Sequence, residues 1–387
     1  MSFEKLNRDL TRLNLWSEQW LVTFNPTKTE YIIFSKKLEK QAYPHLFLAG
    51  EKLKQVVNHK QLGVTFNEKM SFDKHIQENC NKAMNRITAL KRLHGKLPRS
   101  SKLTIYTTFI RPVLEFGWQL YINSSQEQLD GLEKVQREGL LLVTSAYKKT
   151  SHQTLLYEVG IPPLANRRHM QKIQFIYKHF ENLLPPYLEN LIPNTVQEMT
   201  DYNLRNRDDI MLPKSKKNYF LKSFIPSSIK TWNESKMEIR QAASYDTLKA
   251  KLKNIFAKQS SKLFLRGDWK ESINHSRIRM GLSALKSQRK KYHFIPDSIC
   301  DSCNARCETP DHFYLHCPTF AAHRQEMLQE LLNKVPSISN LLLNYNGNRK
   351  LSNQLTQILS FGTGNENFDT VIFEIVQTYI KKSDRFA

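Results

Sequence analysis

The residues best suited to chemistry lie in one short stretch, Cys300–Cys317, which reads CDSCNARCETPDHFYLHC and holds four of the five cysteines. A zinc ion takes four sulfur or nitrogen ligands, and structural sites commonly present them as two pairs. The stretch supplies two such pairs in the spacing C-x2-C-x8-H-x4-C, formed by Cys300, Cys303, His312 and Cys317. We therefore predict a structural Zn²⁺ site with these ligands, with Cys307 and His316 as spare candidates.

Rough energies favour a metal over free thiols or a disulfide. Ordering the backbone of 18 residues costs roughly 1–2 kcal/mol each, and buried apolar side chains return ~1.5–3 kcal/mol apiece. Structural zinc contributes an apparent ~10–16 kcal/mol, which can close the deficit. A disulfide is not expected, because nothing in the sequence marks the chain as secreted.

Composition indicates the kind of partner. The chain has 387 residues and a formal net charge of +22, and its basic residues are spread along its whole length. Such a surplus attracts polyanions, and we expect nucleic acid; the alternative is a merely solvated basic surface. No apolar run approaches the ~20 residues of a membrane span, and the N-terminus has no apolar signal core. We expect no membrane partner and an intracellular protein, in the nucleus or the cytoplasm.

The periodicity of apolar residues predicts an α+β fold that is mostly helical. Helical spacing covers residues 3–20, and strand-like alternation follows at 20–24, 29–35, 45–57 and 62–66. These strands predict a small, mostly antiparallel sheet, with turns at 25–28 and Gly50 and a bend at Gly63. After Asn67 the period is helical, with helices expected at 83–97, 103–114, 129–143, 164–183 and 241–257. Pro112 is expected to kink or split one of them, and 193–231 to be a surface connection or binding arm.

Several segments carry a resemblance to a known family. They are Trp16-x3-Trp20, FNPTKTEYIIFS (24–35), KQLGVTF (60–66), IRPVLEFG (110–117), LEKVQREGL (132–140), GIPPLANRR (160–168), SFIPSSIKTWNE (223–234), SRIRMGLSAL (276–285) and the Cys/His cluster followed by Pro318, Phe320 and Arg324. Each is weak alone, but together and in this order they resemble the C-terminal half of the reverse transcriptases of non-LTR retrotransposons (LINE, Jockey/CR1-like). The resemblance covers roughly residues 1–325.

The resemblance implies a division of the chain. It suggests a palm remnant at 1–66, thumb-like helices at 67–125, a helical connection at 126–192, a basic linker and helix at 193–270, a CCHC zinc module at 271–325 and a helical tail at 326–387. The palm remnant would hold hairpins that are similar to polymerase motif D and to the primer grip.

The resemblance also implies roles for individual residues. Lys28 would be the motif D lysine near the incoming triphosphate, where a cation helps the departing pyrophosphate; otherwise it is an exposed turn lysine. Gly63, within Leu62-Gly63-Val64, would let the backbone approach the primer end. The thumb-like helices would direct five cations towards template–primer phosphates, or else towards solvent: Lys82, Arg86, Lys91, Arg92 and Lys96.

The acidic pair that polymerisation needs is not expected in this chain. Two-metal catalysis requires paired carboxylates, and in the family that pair lies just ahead of the helix that resembles residues 3–20. The pair Asp208-Asp209 lacks strand patterning and is expected to be a pair of turn or surface acids. Mg²⁺ would therefore act only if the missing palm were supplied.

The predicted function is that of a nucleic-acid-binding fragment of a LINE-type RNA-directed DNA polymerase, inactive alone. It would bind template RNA or target DNA through phosphates, with stacking by Phe313 and Tyr314. The alternatives are a non-enzymatic zinc-containing protein-interaction scaffold, whose protein partner is unknown, and a decayed retroelement product. The excess of 58 Lys and Arg over 36 Asp and Glu favours nucleic acid.

Overall fold

Helices dominate the structure. The computed structural model describes residues 3–35, 43–200, 206–256, 262–267 and 269–386. Within these ranges the helices are α1 (Phe3–Gln19), α2 (Asp73–Lys91), α3 (Arg99–Ile105), α4 (Arg111–Leu114), α5 (Gln126–Thr144), α6 (His152–Val159), α7 (Leu164–Phe180), α8 (Pro186–Glu189), α9 (Val196–Met199), α10 (Asn218–Leu221), α11 (Phe224–Asn233), α12 (Met237–Arg240), α13 (Tyr245–Phe256), α14 (Trp269–Arg279), α15 (Lys286–Lys291), α16 (Ala321–Lys334), α17 (Ser339–Asn344), α18 (Arg349–Phe361) and α19 (Glu366–Lys382). None of these described helices is long and apolar enough to cross a membrane.

Six short strands follow α1 in the described residues. They are β1 (Glu30–Tyr31), β2 (Phe47–Leu48), β3 (Glu51–Lys52), β4 (Lys54–Gln55), β5 (Asn58–Gln61) and β6 (Val64–Asn67). The pairs β2–β3 and β5–β6 are antiparallel hairpins, whereas β1 and β4 run parallel. The predicted α+β, mostly helical fold is confirmed, and so is the turn near Gly50.

The prediction of a hairpin around residues 25–28 is wrong. Residues 20–24 form no strand, and β1 pairs with β4 instead. The cause is local: the Asn25 side chain accepts hydrogen bonds from the backbone N–H groups of Thr27 and Lys28 and caps a 3-10 turn at Pro26–Lys28. This turn redirects the chain before a second strand can pair with the first.

Among the residues that the structure describes, three larger hydrophobic cores and one small one hold the helices together. The first joins α2 to α6, the second joins the Cys/His stretch to α14 and α16–α19, and the third lies among α7, α11 and α13. The small fourth core sits between α1 and the β2–β3 hairpin. The second core is continuous across the Cys/His stretch and the tail, so this stretch packs as part of a larger helical unit.

A π-helical segment, Tyr106–Ile110, joins α3 to α4 without interrupting the helix. It lies just before Pro112, whose ring cannot fit a regular helical hydrogen-bond ladder, and π-turns are a common way to absorb such a mismatch. Tyr106 is fully buried there against Gly139 of α5, where an added Cβ would come within 2.6 Å of the ring. The close approach of these helices therefore depends on that glycine.

Parts of the stretch 193–231 are buried, although its polar composition predicted a surface connection. Ile210 is almost fully buried, and Asn233 exchanges two hydrogen bonds with its backbone. Residues from Phe224 onward form α11, which packs along α7. The expectation of a surface connection therefore does not hold at Ile210 or in α11, because apolar residues among the polar ones enter the third core.

Candidate metal centre and nucleic-acid surface

Four side chains converge as the cysteine and histidine spacing predicted. Their ligand atoms all lie within 4.8 Å of one another: Cys300, Cys303, His312 and Cys317. No other group of three or more such ligands occurs in the part of the chain that the structure describes. The cysteines are unpaired thiols. Zinc binds sulfur at about 2.3 Å and nitrogen at about 2.0–2.1 Å, so a cluster this compact fits one metal ion.

The first ligand pair lies on a tight turn. The Asn304 backbone N–H donates to the carbonyl of Cys300 at 2.9 Å, and the Cys300 N–H donates to the carbonyl of Ala305 at 2.9 Å. Asn304 takes a left-handed conformation with φ of 59°, which asparagine tolerates better than most residues. These backbone hydrogen bonds bring the thiols of Cys300 and Cys303 to the same side.

The second ligand pair lies on a π-helical turn, His312–His316. The Cys317 N–H donates to the His312 carbonyl at 2.7 Å, so the turn closes over five residues instead of four. The H-x4-C spacing suits this turn, because it places the two ligands one turn apart. Burial lowers the pKa of His312, which favours the neutral imidazole that binds metals.

The two spare candidates lie outside the cluster. Cys307 is exposed to solvent. His316 lies 2.9 Å from the Ser352 hydroxyl of α18 and 3.3 Å from the Asp311 carboxylate. His316 therefore packs against α18, and the four converging residues remain the candidate ligand set.

An acidic residue connects the cluster to the tail. The Glu308 side chain is only 1% exposed, and the Cys300 sulfur lies 3.9 Å from its carboxylate. Arg385 donates two hydrogen bonds to that carboxylate, at 2.6 and 2.8 Å. The backbone N–H of Lys286 donates a further one at 2.9 Å. Partners of this kind orient metal ligands, and here one of them comes from the tail.

The prediction that Phe313 and Tyr314 stack on nucleic-acid bases is wrong. Both side chains are fully buried. The Phe313 ring lies 5.2 Å from the rings of Tyr379 and Phe386, and the Tyr379 hydroxyl donates to the Phe313 carbonyl at 2.5 Å. These aromatic side chains join the Cys/His stretch to α19, so they stabilise the fold and do not reach a ligand.

The five basic residues expected at the thumb do not share one face. Lys82 and Lys91 lie nine positions apart on α2, or two and a half helical turns, and therefore on opposite sides of its buried stripe. Lys91, Arg92 and Lys96 are exposed around the C-terminal end of the helix, and Lys82 is exposed further back. The Arg86 guanidinium lies 4.0 Å over the Phe109 ring and donates to the Phe109 carbonyl. It therefore already has partners within the protein.

The β5–β6 hairpin presents a tight turn at Leu62 and Gly63. Both residues have positive φ, 48° and 83°, as a two-residue hairpin turn of the mirror-image type requires. The Leu62 side chain is exposed. An added Cβ at Gly63 would lie 3.1 Å from the Phe116 ring. The turn is therefore exposed at its tip and closely packed against the residues that follow α4.

Lys28 is exposed at the end of its 3-10 turn, beside the exposed cap residue Asn25. The Asp208-Asp209 pair also has ordinary surroundings: Asp208 pairs with Arg207 at 3.5 Å, and Asp209 pairs with Arg240 at 2.7 Å. Cations therefore neutralise both carboxylates in place, in agreement with their interpretation as turn or surface acids.

The structure contains a buried network of charged side chains that the sequence did not predict. Glu158 of α6 accepts hydrogen bonds from Arg279 of α14 at 2.6 and 3.0 Å and lies 4.0 Å from Arg99 of α3. All three side chains are almost fully buried. The network joins α3 and α6 to α14, the helix that precedes the Cys/His stretch. The only signal was that Arg279 lies within SRIRMGLSAL, whereas Arg99 and Glu158 resembled ordinary surface residues.

Comparison with known proteins agrees with the resemblance. The chain is 23% identical over 196 residues to the RNA-directed DNA polymerase from mobile element jockey of Drosophila melanogaster, covering 49% of this chain and 20% of that protein. It is 22% identical over 142 residues to the probable RNA-directed DNA polymerase from transposon BS of the same species, covering 36% and 16%. For the probable enzyme from transposon X-element, identity is 23% over 136 residues, covering 34% and 15%.

These matches involve only part of each relative: the aligned region of this chain spans at most 20% of the length of these polymerases. No protein-family model matches the chain, and no solved structure matches it. The predicted resemblance is confirmed: the chain is related to the RNA-directed DNA polymerases of jockey-type, LINE-class mobile elements.

Proposed function

We propose that this chain is the nucleic-acid-holding portion of a LINE-type reverse transcriptase and binds template RNA or target DNA through backbone phosphates. The observation that carries the proposal is the net charge of +22 on a chain whose curated relatives are RNA-directed DNA polymerases. Phosphate contacts made by lysine and arginine supply most of the affinity of such proteins. In α2 and the turn after it, Lys82, Lys91, Arg92 and Lys96 are exposed and available for these contacts.

The metal ion in this proposal is a structural zinc. Cys300, Cys303, His312 and Cys317 would hold it, and it would contribute folding free energy to the second core. The polymerase chemistry would depend on the acidic pair that precedes the opening helix in the family, together with Mg²⁺. Lys28 would then act near the triphosphate and Gly63 near the primer end.

Salt dependence tests the proposed mode of binding. Contact with about 6–10 phosphates reduces affinity by ~10³–10⁵-fold between about 50 and 200 mM salt. Changing Lys82, Lys91, Arg92 and Lys96 together to glutamine should lower the salt slope by about one unit for each phosphate that is no longer bound. The matched control changes four exposed cations elsewhere: Lys253, Arg349, Lys350 and Lys381. Fluorescence anisotropy with labelled RNA and duplex DNA measures both. An affinity that does not respond to salt would contradict the proposal.

A primer-extension assay tests the proposal that this polypeptide has no polymerase activity on its own. The purified polypeptide, with an RNA template, a DNA primer, nucleoside triphosphates and Mg²⁺, is expected to incorporate no nucleotide. Incorporation by pure protein would show that the catalytic acids lie within this chain, and it would overturn that part of the proposal.

A further inference from the structure

A large cavity lies where the residues after α4 face α7 and α11. Its volume is about 870 Å³, within the range of about 300–1,000 Å³ that is usual for ligand sites. Charged, polar and aromatic side chains line it. The inference rests on six of them: Arg111, Glu115, Phe116, Arg167, Gln171 and Lys178. None of them belongs to the metal cluster or to the exposed cations of α2.

The charges around this cavity do not balance. Arg167 donates to both oxygens of the Glu115 carboxylate, at 2.8 and 3.1 Å. Arg111 lies 3.8 Å from the same carboxylate, and its Nε is buried without a hydrogen-bond partner. Two guanidinium groups therefore share one carboxylate, and Lys178 adds a third cation at the wall. A buried cation without a full partner is costly, and an anion entering the cavity would remove that cost.

The remaining lining suits a nucleobase. The Phe116 ring is 47% exposed, and Phe175 and Tyr245 present further aromatic surface. Gln171 also lines the cavity, and amide groups read the edges of bases. Unpaired bases in single strands are recognised by this combination of stacking and polar edge contacts.

We propose that this cavity binds an unpaired nucleotide of a single-stranded nucleic acid, with its phosphate between Arg111 and Lys178 and its base against Phe116. The inference rests on the proposed function and adds a second, distinct site to it. A single strand is required because the side chains of Arg111 and Arg167 are only 15% and 26% exposed. Such recessed charges cannot meet the outward phosphates of a duplex, whereas a strand can bend into the cavity.

The position of the cavity agrees with this assignment. Phe116 at its rim packs against Gly63, so the cavity opens beside the exposed tip of the β5–β6 hairpin. A strand that passes the hairpin turn would therefore lie close to the cavity. The hairpin and the cavity would then act on the same strand.

The decisive variant removes the surplus cations only. Arg111→Gln with Lys178→Gln leaves the Arg167–Glu115 pair intact, so folding should be preserved, as a thermal melt would verify. Affinity for labelled oligouridine should fall at least about tenfold, and the salt slope should fall by about 0.7, the value for one phosphate contact on a single strand. The matched control, Lys230→Gln with Lys253→Gln, removes two exposed charges outside the cavity and should change affinity less than about twofold.

Photocrosslinking supplies a second readout on the unaltered chain. A 4-thiouridine oligonucleotide should attach within residues 111–119 or 167–178, and Phe116→Leu should reduce the yield. Crosslinks confined to other segments, or wild-type affinity in the double variant, would overturn the cavity assignment while the proposed function stands. Displacement of the strand by micromolar uridine triphosphate would assign the cavity to a free nucleotide instead. If the unaltered chain bound no nucleic acid, both proposals would fall.

Discussion

Two buried carboxylates, in different regions of the molecule, differ in how well their charges are matched by neighbouring cations. Glu308, beside the metal cluster, receives two hydrogen bonds from one arginine and a third from the backbone. Glu115, at the cavity beside α4, is shared between Arg111 and Arg167, and Arg111 keeps an unpartnered Nε. Matched pairs hold elements together, whereas a surplus of one sign leaves room for a ligand of the other. We therefore expect the Cys/His stretch to have a structural role, and the α4 cavity to be the better candidate for a ligand-binding site.

The largest effect should come from removing a metal ligand. Cys303→Ser is expected to release zinc and to unfold the second core, because structural zinc contributes an apparent ~10–16 kcal/mol. Elemental analysis and near-ultraviolet circular dichroism measure the two outcomes. Cys307→Ser is the matched control, since it makes the same exchange at an exposed thiol outside the cluster. Full zinc content in Cys303→Ser would refute the ligand assignment.

Breaking the matched ion pair should come next. Arg385→Ala leaves the Glu308 carboxylate buried beside the Cys300 sulfur without its guanidinium, and the loss of one partner of a buried pair costs about 3–5 kcal/mol. Urea unfolding measures this change. Arg111→Gln provides the contrast, because it leaves Glu115 paired with Arg167 and should cost less free energy of unfolding than Arg385→Ala. Equal losses of unfolding free energy in the two variants would contradict the proposed difference between the structural ion pair at Glu308 and the candidate ligand site at Glu115.

The smallest effect concerns pH. His275 is fully buried, 2.9 Å from the Leu359 carbonyl and near Arg279 and Arg99, and its burial lowers its pKa well below 6.5. Below pH 6.5 the unfolded chain therefore binds a proton that the folded chain excludes, so stability is present at neutral pH and is lost as pH falls. His275→Gln should flatten this acid-side fall in melting temperature relative to the unaltered chain. An identical pH profile would contradict a buried neutral imidazole.

The features that the sequence predicted best are local ones. The metal ligands lie within 18 residues, so spacing alone indicated how they meet, and apolar periodicity located the helices at 3–20, 164–183 and 241–257. The hairpin around residues 25–28 failed because one asparagine side chain capped a turn that alternation cannot reveal. The ion pairs were missed because their members lie far apart: Arg167 and Glu115 are separated by 52 positions and Arg279 and Glu158 by 121. A charged residue looks like surface until its distant partner is known.

The distance between Glu308 and Arg385, 77 positions, has a consequence for how the protein is made. At about 5–20 residues per second, a ribosome delivers the arginine roughly 4–15 s after the glutamate. All four candidate metal ligands have been synthesised before the arginine that binds the Glu308 carboxylate beside them. We therefore expect that nascent chains could bind a metal ion at this cluster before the contact between Glu308 and Arg385 has formed.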